Sequence, residues 1–205
     1  MSNTKQQALQ SMNPLFPIFL KLDELNTLIV GGGYVGLEKV SGIMKNSPNA
    51  NITLIAGTIK EEINELANTF PTLKLVRRNF VDDDLINRDL VIIGTNNKKL
   101  NAEIKKKAKA LKILTNVADT PDLCDFYLSA VVTKGDLKIA ISTNGKSPTL
   151  AKRFREMLEE VLPNEVPELL NNLKQIRDRL KGDLEYKLKT LNELTLSIIN
   201  NDQKK

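Results

Sequence analysis

The stretch Leu28-Ile29-Val30-Gly31-Gly32-Gly33-Tyr34-Val35-Gly36 limits the possible folds more than any other part of the chain. A short apolar run ends in three glycines and passes at once into a helical pattern. Gly31, Gly33 and Gly36 fill a G-x-G-x-x-G frame, the phosphate-binding turn of a dinucleotide fold. In such a turn Gly31 permits the sharp exit from the strand. Gly33 lets the backbone approach a pyrophosphate, and Gly36 lets the helix pack closely. The N–H groups at the helix start then face the anion. The competing reading is a tight strand–helix turn that binds nothing.

Composition narrows the chemistry. The 205 residues hold no histidine, so imidazole acid–base catalysis, Ser-His and Cys-His dyads and imidazole metal ligands are all excluded. The single cysteine, Cys124, allows no internal disulfide and no thiolate metal cluster. An apolar fraction of 41% supports a real core, and no run is long enough for a membrane span. The polar first residues lack a signal-peptide core, so a cytoplasmic protein without membrane association is expected. A net charge of +5 favours anionic partners. Nucleic acid is not among those expected, because three Tyr, six Phe and no Trp leave no basic stripe interleaved with aromatics.

Apolar patterning predicts strands over 27–30, 52–55, 73–76, 89–94 and 113–117. Helices are predicted over 35–45, 61–68 and 100–111. The alternation implies an α/β, Rossmann-like, doubly wound parallel sheet with helices on both faces. Phe16-Pro17-Ile18-Phe19-Leu20 is read as a segment on a sheet edge, because its proline argues against a central strand. Residues 126–132 and 137–141 read as a hairpin around Thr133-Lys134-Gly135-Asp136. An isolated hairpin is marginal in water, so a second copy of the chain is expected to cover it. Helices follow from Ser147-Pro148. Leu150, Phe154, Leu158 and Val161 line the first; Leu169, Leu173, Ile176 and Leu180 the second; Leu184, Leu188, Leu191 and Ile198 the third. They are expected to form a bundle core. The resulting division is a flexible N-terminus over 1–13, a Rossmann domain over 14–117, a small α+β dimerisation segment over 118–147 and a helical domain over 148–205.

Three further places carry candidate chemistry. Gly94-Thr95-Asn96-Asn97 follows the fourth strand, where doubly wound folds bind ligands; it is either a polar loop or a nucleotide contact. Asn116-Val117-Ala118-Asp119 ends the fifth strand, and Asp119 is either a turn cap or an acid–base group. Ser142-Thr143-Asn144-Gly145-Lys146-Ser147-Pro148 runs into a helix start; it is either a cap or an anion cradle, with Arg153 and Arg155 following. Dinucleotide folds that select NAD commonly end their second strand in Asp or Glu. Here Ile55-Ala56-Gly57-Thr58 has no acid, and Glu61 and Glu62 read as first-turn helix residues. NAD and NADP both stay open on these residues.

Together these pieces resemble the precorrin-2 dehydrogenase family, the oxidase part of siroheme synthase. The matching pieces are Pro17-Ile18-Phe19-Leu20; Leu28 to Gly33 with Val35 and Lys39; Asn116-Val117-Ala118-Asp119 with Pro121 and Phe126; and Ile139 to Pro148 with Leu150-Ala151 and Arg155. The resemblance implies NAD-dependent oxidation of precorrin-2 to sirohydrochlorin, followed in some members by insertion of ferrous iron. It implies an intertwined homodimer and an essential aspartate matching Asp119. Cofactor contacts are expected at Gly31, Gly33, Tyr34, Val35, Gly36, Gly57, Thr58, Thr95, Asn96, Asn116 and Val117. Substrate contacts are expected at Ser142, Asn144, Lys146, Ser147 and Arg155. No resident metal is expected. Some siroheme synthases are phosphorylated on a serine matching Ser142.

The chain departs from the family in four respects. Gly36 stands where many relatives have alanine, a change expected to keep the same packing. Ala118 and Ser129 replace the common Val and Pro. No methyltransferase sequence follows, so methylation of uroporphyrinogen is expected to occur elsewhere. The alternative function is a non-catalytic, dinucleotide-sensing Rossmann dimer, which needs no aspartate at position 119. A different small-substrate dehydrogenase fits less well, since such enzymes commonly use His, Tyr or Lys and Tyr34 lies inside the phosphate turn.

Overall fold

The computed structural model describes residues 13–200, with side chains described through residue 196. The N-terminal segment 1–12 and the side chain of Ile198 therefore lie outside the described residues. Two compact units are present. The first comprises the described residues through Ala130 together with Ile141–Ala151; the second comprises Val131–Ala140 and the chain from Lys152 onward.

The first unit is built on a five-stranded parallel sheet. Its strands are β1 (Thr27–Gly32), β2 (Ile52–Ile59), β3 (Leu73–Val76), β4 (Leu90–Ile93) and β5 (Leu114–Val117), in the order β3-β2-β1-β4-β5. Helices α1 (Tyr34–Asn46), α2 (Glu61–Thr69) and α3 (Lys98–Ala110) make the crossovers. Strand residues alternate between two faces, and both faces are covered, which is why β1 and β4 read as unbroken apolar runs. Ile29 joins Val40, Ile43 and Met44 of α1, Leu54 and Ile63 in one cluster. Leu28 and Val30 join Val91, Ile93, Ile104 and Ala108 in the other. Each fully buried Leu or Ile contributes about 1.5–3 kcal/mol.

Several local expectations need correction. β2 runs four residues beyond Ile55, because Gly32 pairs with Ile59 after an irregularity at Val30/Gly32. Gly57 and Thr58 are therefore strand residues. Residues 16–20 join no strand, and Phe16 and Phe19 are 86% and 66% exposed. The segment lacks any ladder partner, so the edge position is not formed. α3 begins at Lys98 because the Asn97 side chain caps it, accepting from Leu100 N–H at 3.0 Å.

After β3 the chain makes a 3₁₀ turn (Asp82–Leu85) held by a buried carboxylate. Arg78 grips Asp84 in a bidentate pair at 2.6 and 2.8 Å, and Val81 N–H donates to the same carboxylate at 2.8 Å. The Arg78 guanidinium holds the Asp84 carboxyl below its ordinary value, against the opposing effect of burial. A lowered folded-state pKa means that this stabilisation is present above about pH 4 and is lost as pH falls through the folded value. Asp84→Asn should thus lower the urea midpoint at pH 7, and the gap to the parent should narrow towards pH 3.

In the second unit, β6 (Ala130–Lys134) and β7 (Leu137–Ile141) form a two-stranded hairpin. Its two-residue turn places Gly135 at φ +57°, where a Cβ would meet the Pro167 ring at 2.9 Å. Residues 126–129, expected to be strand, are not; the hairpin begins at Ala130, and Phe126 is held back against β5 (below). Helices α4 (Pro148–Val161), α5 (Val166–Arg179) and α6 (Leu184–Asn200) complete the chain. The expected bundle core is not formed within one chain. Leu150, Phe154, Val161, Leu184 and Leu188 are 44–73% exposed.

Candidate functional site

β1, β4 and β5 are neighbours in a parallel sheet, so their carboxyl ends share one edge. That edge brings together the Gly31–Gly33 turn, the loop 94–97 and the loop from Asn116 to Asp119. It is where doubly wound folds bind ligands.

The turn has the shape a dinucleotide requires. Gly31 sits at φ +119°, and a Cβ on it would lie 2.5 Å from the Gly94 carbonyl oxygen, so β1 and β4 end back to back. Gly36 faces the Gly31 carbonyl so closely that an added Cβ would stand 2.1 Å from its oxygen. The expectation that alanine is equivalent at position 36 therefore fails in this chain; the α1 start lies too near the turn. Gly33 differs from both. Its φ of −84° suits any residue, and a Cβ there would meet nothing within 4 Å. Its freedom serves the open side of the turn, where a pyrophosphate would lie against the N-terminus of α1. Tyr34 is 81% exposed beside it, and Val35 is half-buried, its side chain 2.9 Å from where a Gly94 Cβ would sit.

The loop after β4 is braced from α3. Asn101 is buried, donates to the Thr95 carbonyl at 3.0 Å and accepts a short hydrogen bond from the Thr95 hydroxyl. Asn96 projects at the exposed bend between them. Asn101 lies inside a lysine-rich helix, and its spacing gave no sign of this role.

Asp119 occupies the tip of the loop after β5. Its backbone sits at φ +55°, in the left-handed region that few non-glycine residues enter, Asp and Asn more readily than the rest. The conformation is imposed from both sides. Ala118 N–H donates to Ile93 at 2.9 Å, and Thr120 N–H turns back to Val117 at 3.3 Å. The returning chain is then fastened along β5. Cys124 Sγ meets Val117 N–H at 3.2 Å, Asn116 Nδ2 donates to the Phe126 carbonyl at 2.9 Å, and Asp125 N–H donates to Thr115 at 2.8 Å. Lys105, almost wholly buried on α3, reaches Asp125 at 2.5 Å, while Thr115 N–H donates to the same carboxylate at 2.9 Å. This clamp holds Phe126, the first of the residues expected as strand, against β5. Lys105, Asp125 and Cys124 are site-supporting residues that no motif signalled, since their pairing spans 20 residues in sequence.

The loop 142–148 is a hydrogen-bonded capped helix start. Ser147 Oγ accepts from Leu150 N–H at 3.2 Å, and its own N–H donates to Thr143 Oγ1 at 3.2 Å. Ser142 Oγ accepts from Asn144 N–H at 3.2 Å. Asn144 and Gly145 sit at φ +53° and +74°, and Lys146 is exposed. Arg155, in the second unit, pairs with Glu159 at 2.9 Å. Among the described residues no group of three or more His, Cys, Asp or Glu side chains is placed to hold a metal ion, and no helix is long and apolar enough to cross a membrane.

A family profile described as NAD(P)-binding matches residues 18–130, more than half of the chain. The chain belongs to this NAD(P)-binding family. The residues that the family match covers include the whole glycine turn, the loop after β4 and Asp119. A second profile, the central part of a sirohaem biosynthesis protein, matches residues 134–160. The siroheme synthase of Psychrobacter arcticus is 36% identical over 176 residues, covering 86% of this chain and 31% of its own length. That of Nitrosomonas europaea is 30% identical over 165 residues, covering 80% and 34% respectively. This NAD(P)-binding chain therefore spans about a third of the length of these curated relatives. Among solved structures, SirC, a precorrin-2 dehydrogenase, superposes with a TM-score of 0.67 at 28% identity, covering 88% of this chain and 89% of its own.

Proposed function

We propose that this chain oxidises precorrin-2 to sirohydrochlorin with NAD, in the cytoplasm, as a homodimer. The observation that carries the proposal is Asp119, clamped in a left-handed backbone conformation on the same sheet edge as the glycine turn. A nucleotide sensor has no use for a carboxylate presented on that edge. The name and fold of SirC, matched over nearly its whole length, support the same reaction.

NAD, when bound, supplies the hydride acceptor. The chain's own residues do the rest. N–H groups at the α1 start hold the pyrophosphate, with Gly33 leaving the approach open. Thr95 and Asn96, fixed through Asn101, border the nicotinamide end, as do Asn116 and Val117. Asp119 accepts the proton that leaves the macrocycle as the hydride departs, so the two hydrogens lost from the substrate go to separate acceptors. The substrate carries many carboxylates, which suits the positive net charge. Ser142, Asn144, Lys146, Ser147 and Arg155 are proposed as its ligands. The half-exposed leucines of α4 and the hairpin's half-buried Leu137, Ile139 and Ile141 support the dimer, since a second copy would cover them.

The test is an anaerobic assay with enzymatically made precorrin-2, following the sirohydrochlorin spectrum with and without NAD. Light scattering on the same sample reads the oligomeric state. Sirohydrochlorin formed only with NAD, by a dimer, is the expected result. Ferrous iron added afterwards reports metal insertion, with iron as a substrate, from any rate above the non-enzymatic one. A folded dimer that binds the dinucleotide and yields no product would point to the sensor instead.

A further inference from the structure

The end of β2 determines how a dinucleotide fold reads the adenosine ribose. A carboxylate there accepts from the 2′-hydroxyl of NAD and repels the 2′-phosphate of NADP. Here the strand end carries no acid. Ala56, Gly57, Thr58 and Ile59 close the strand, and the Asn79 side-chain amide fills the space beside Gly57, with Oδ1 2.8 Å from where a Cβ would stand. An amide is neutral and both donates and accepts.

The charged groups come one step later, at the β2–α2 junction. Lys60 N–H donates to the Gly32 carbonyl at 3.0 Å, which sets this residue against the phosphate turn. Its ammonium lies 4.1 Å from the centre of the Tyr34 ring, the first residue of α1, and 3.2 Å from Glu62 Oε1. The Glu62 carboxylate, with a smaller share from Tyr34, raises the Lys60 pKa; a backbone N–H and then the lysine lower that of Glu62, so both are charged at neutral pH. One cation and one anion thus stand beside the turn at the end of β2, both partly exposed.

We propose that Lys60 and Glu62 are the specificity-determining pair for the ribose 2′ position, and that the chain binds NADP within about tenfold of NAD. Glu62 takes the 2′-hydroxyl of NAD. Lys60 takes the 2′-phosphate of NADP and, drawn to it, screens the carboxylate. Neither form is excluded, because the pair carries no net charge. The inference deepens the dinucleotide reading and rests on it.

Calorimetric titration of the full chain with NAD and with NADP tests it on the parent, Lys60→Gln, Lys60→Arg and Glu62→Gln. The parent dissociation constants should lie within about tenfold of each other. Glu62→Gln should shift the ratio towards NADP by about tenfold, the worth of one charge-assisted contact at a partly exposed site. Lys60→Gln should shift it about as far towards NAD, and Lys60→Arg should restore the parent ratio. A parent that prefers either dinucleotide by more than about tenfold, or a ratio that neither neutral variant moves, would overturn the proposal while NAD binding itself leaves the cofactor site standing. Failure of the parent to bind either dinucleotide would instead remove the site.

Discussion

Replacing Asp119 by alanine should lower the rate of sirohydrochlorin formation by about 10²–10⁴-fold, the usual contribution of a positioned acid–base group. Dinucleotide affinity should not change, since the glycine turn is built by β1, α1 and β4. The alanine variant confounds two effects, however. Position 119 sits at φ +55°, which alanine adopts at a cost of about 1–2 kcal/mol, so some loss of stability is expected as well. Asp119→Asn separates them. Asparagine enters the left-handed region readily, so the loop should keep its conformation and the unfolding free energy from urea titration should stay within about 0.5 kcal/mol of the parent. Its amide cannot take up the proton, so turnover should fall as far as in alanine. Near-normal turnover in the asparagine variant would take the carboxylate out of the mechanism. The clamp of Lys105 and Asp125 would then be holding a merely structural turn.

The sheet was legible because its signals are local. An unbroken apolar run such as Leu90–Ile93 can be satisfied only by a strand covered on both faces, and Val30-Gly31-Gly32-Gly33 fixes both the end of β1 and the start of the following helix. Position on the carboxyl edge then followed from strand order, which placed Asp119 and Thr95 beside the turn. What failed depended on partners distant in sequence. Gly57-Thr58 lies beyond the apolar run that marks β2, yet it is strand because Gly32 reaches across to Ile59. Residues 126–129 are apolar enough for a strand, but the Asn116 amide takes the Phe126 carbonyl, ten residues away in sequence. Lys105 looks like one lysine among many on α3; only the fold shows that it points inward to Asp125. The leucine stripes of α4 to α6 suggest a bundle core that does not form within one chain. Periodicity says which face is apolar and not what covers it, and within one chain much of that surface stays exposed.

Gly33→Asp should raise the dissociation constant for the dinucleotide by about a hundredfold or more while leaving the fold at least as stable. The two effects have opposite signs because position 33 serves both a helix and a ligand. For the helix, Gly33 is the N-cap of α1, with φ −84° and ψ −159°, an extended conformation open to any residue. A Cβ there touches nothing within 4 Å, and aspartate is a strong N-cap residue that favours the positive end of the helix dipole. The folded protein therefore gains up to about 1 kcal/mol. For the ligand, the same carboxylate projects into the open side of the turn, satisfying the N–H groups that a pyrophosphate needs and setting a like charge against it. Like-charge juxtaposition of this kind costs several kcal/mol, and about 2.7 kcal/mol already corresponds to a hundredfold. Titration of the variant beside a thermal melt reads both quantities on one sample. A raised melting temperature with lost affinity is the expected pair. Unchanged affinity in the folded variant would mean that the dinucleotide does not lie on this turn, and the oxidation proposed here would lose its hydride acceptor.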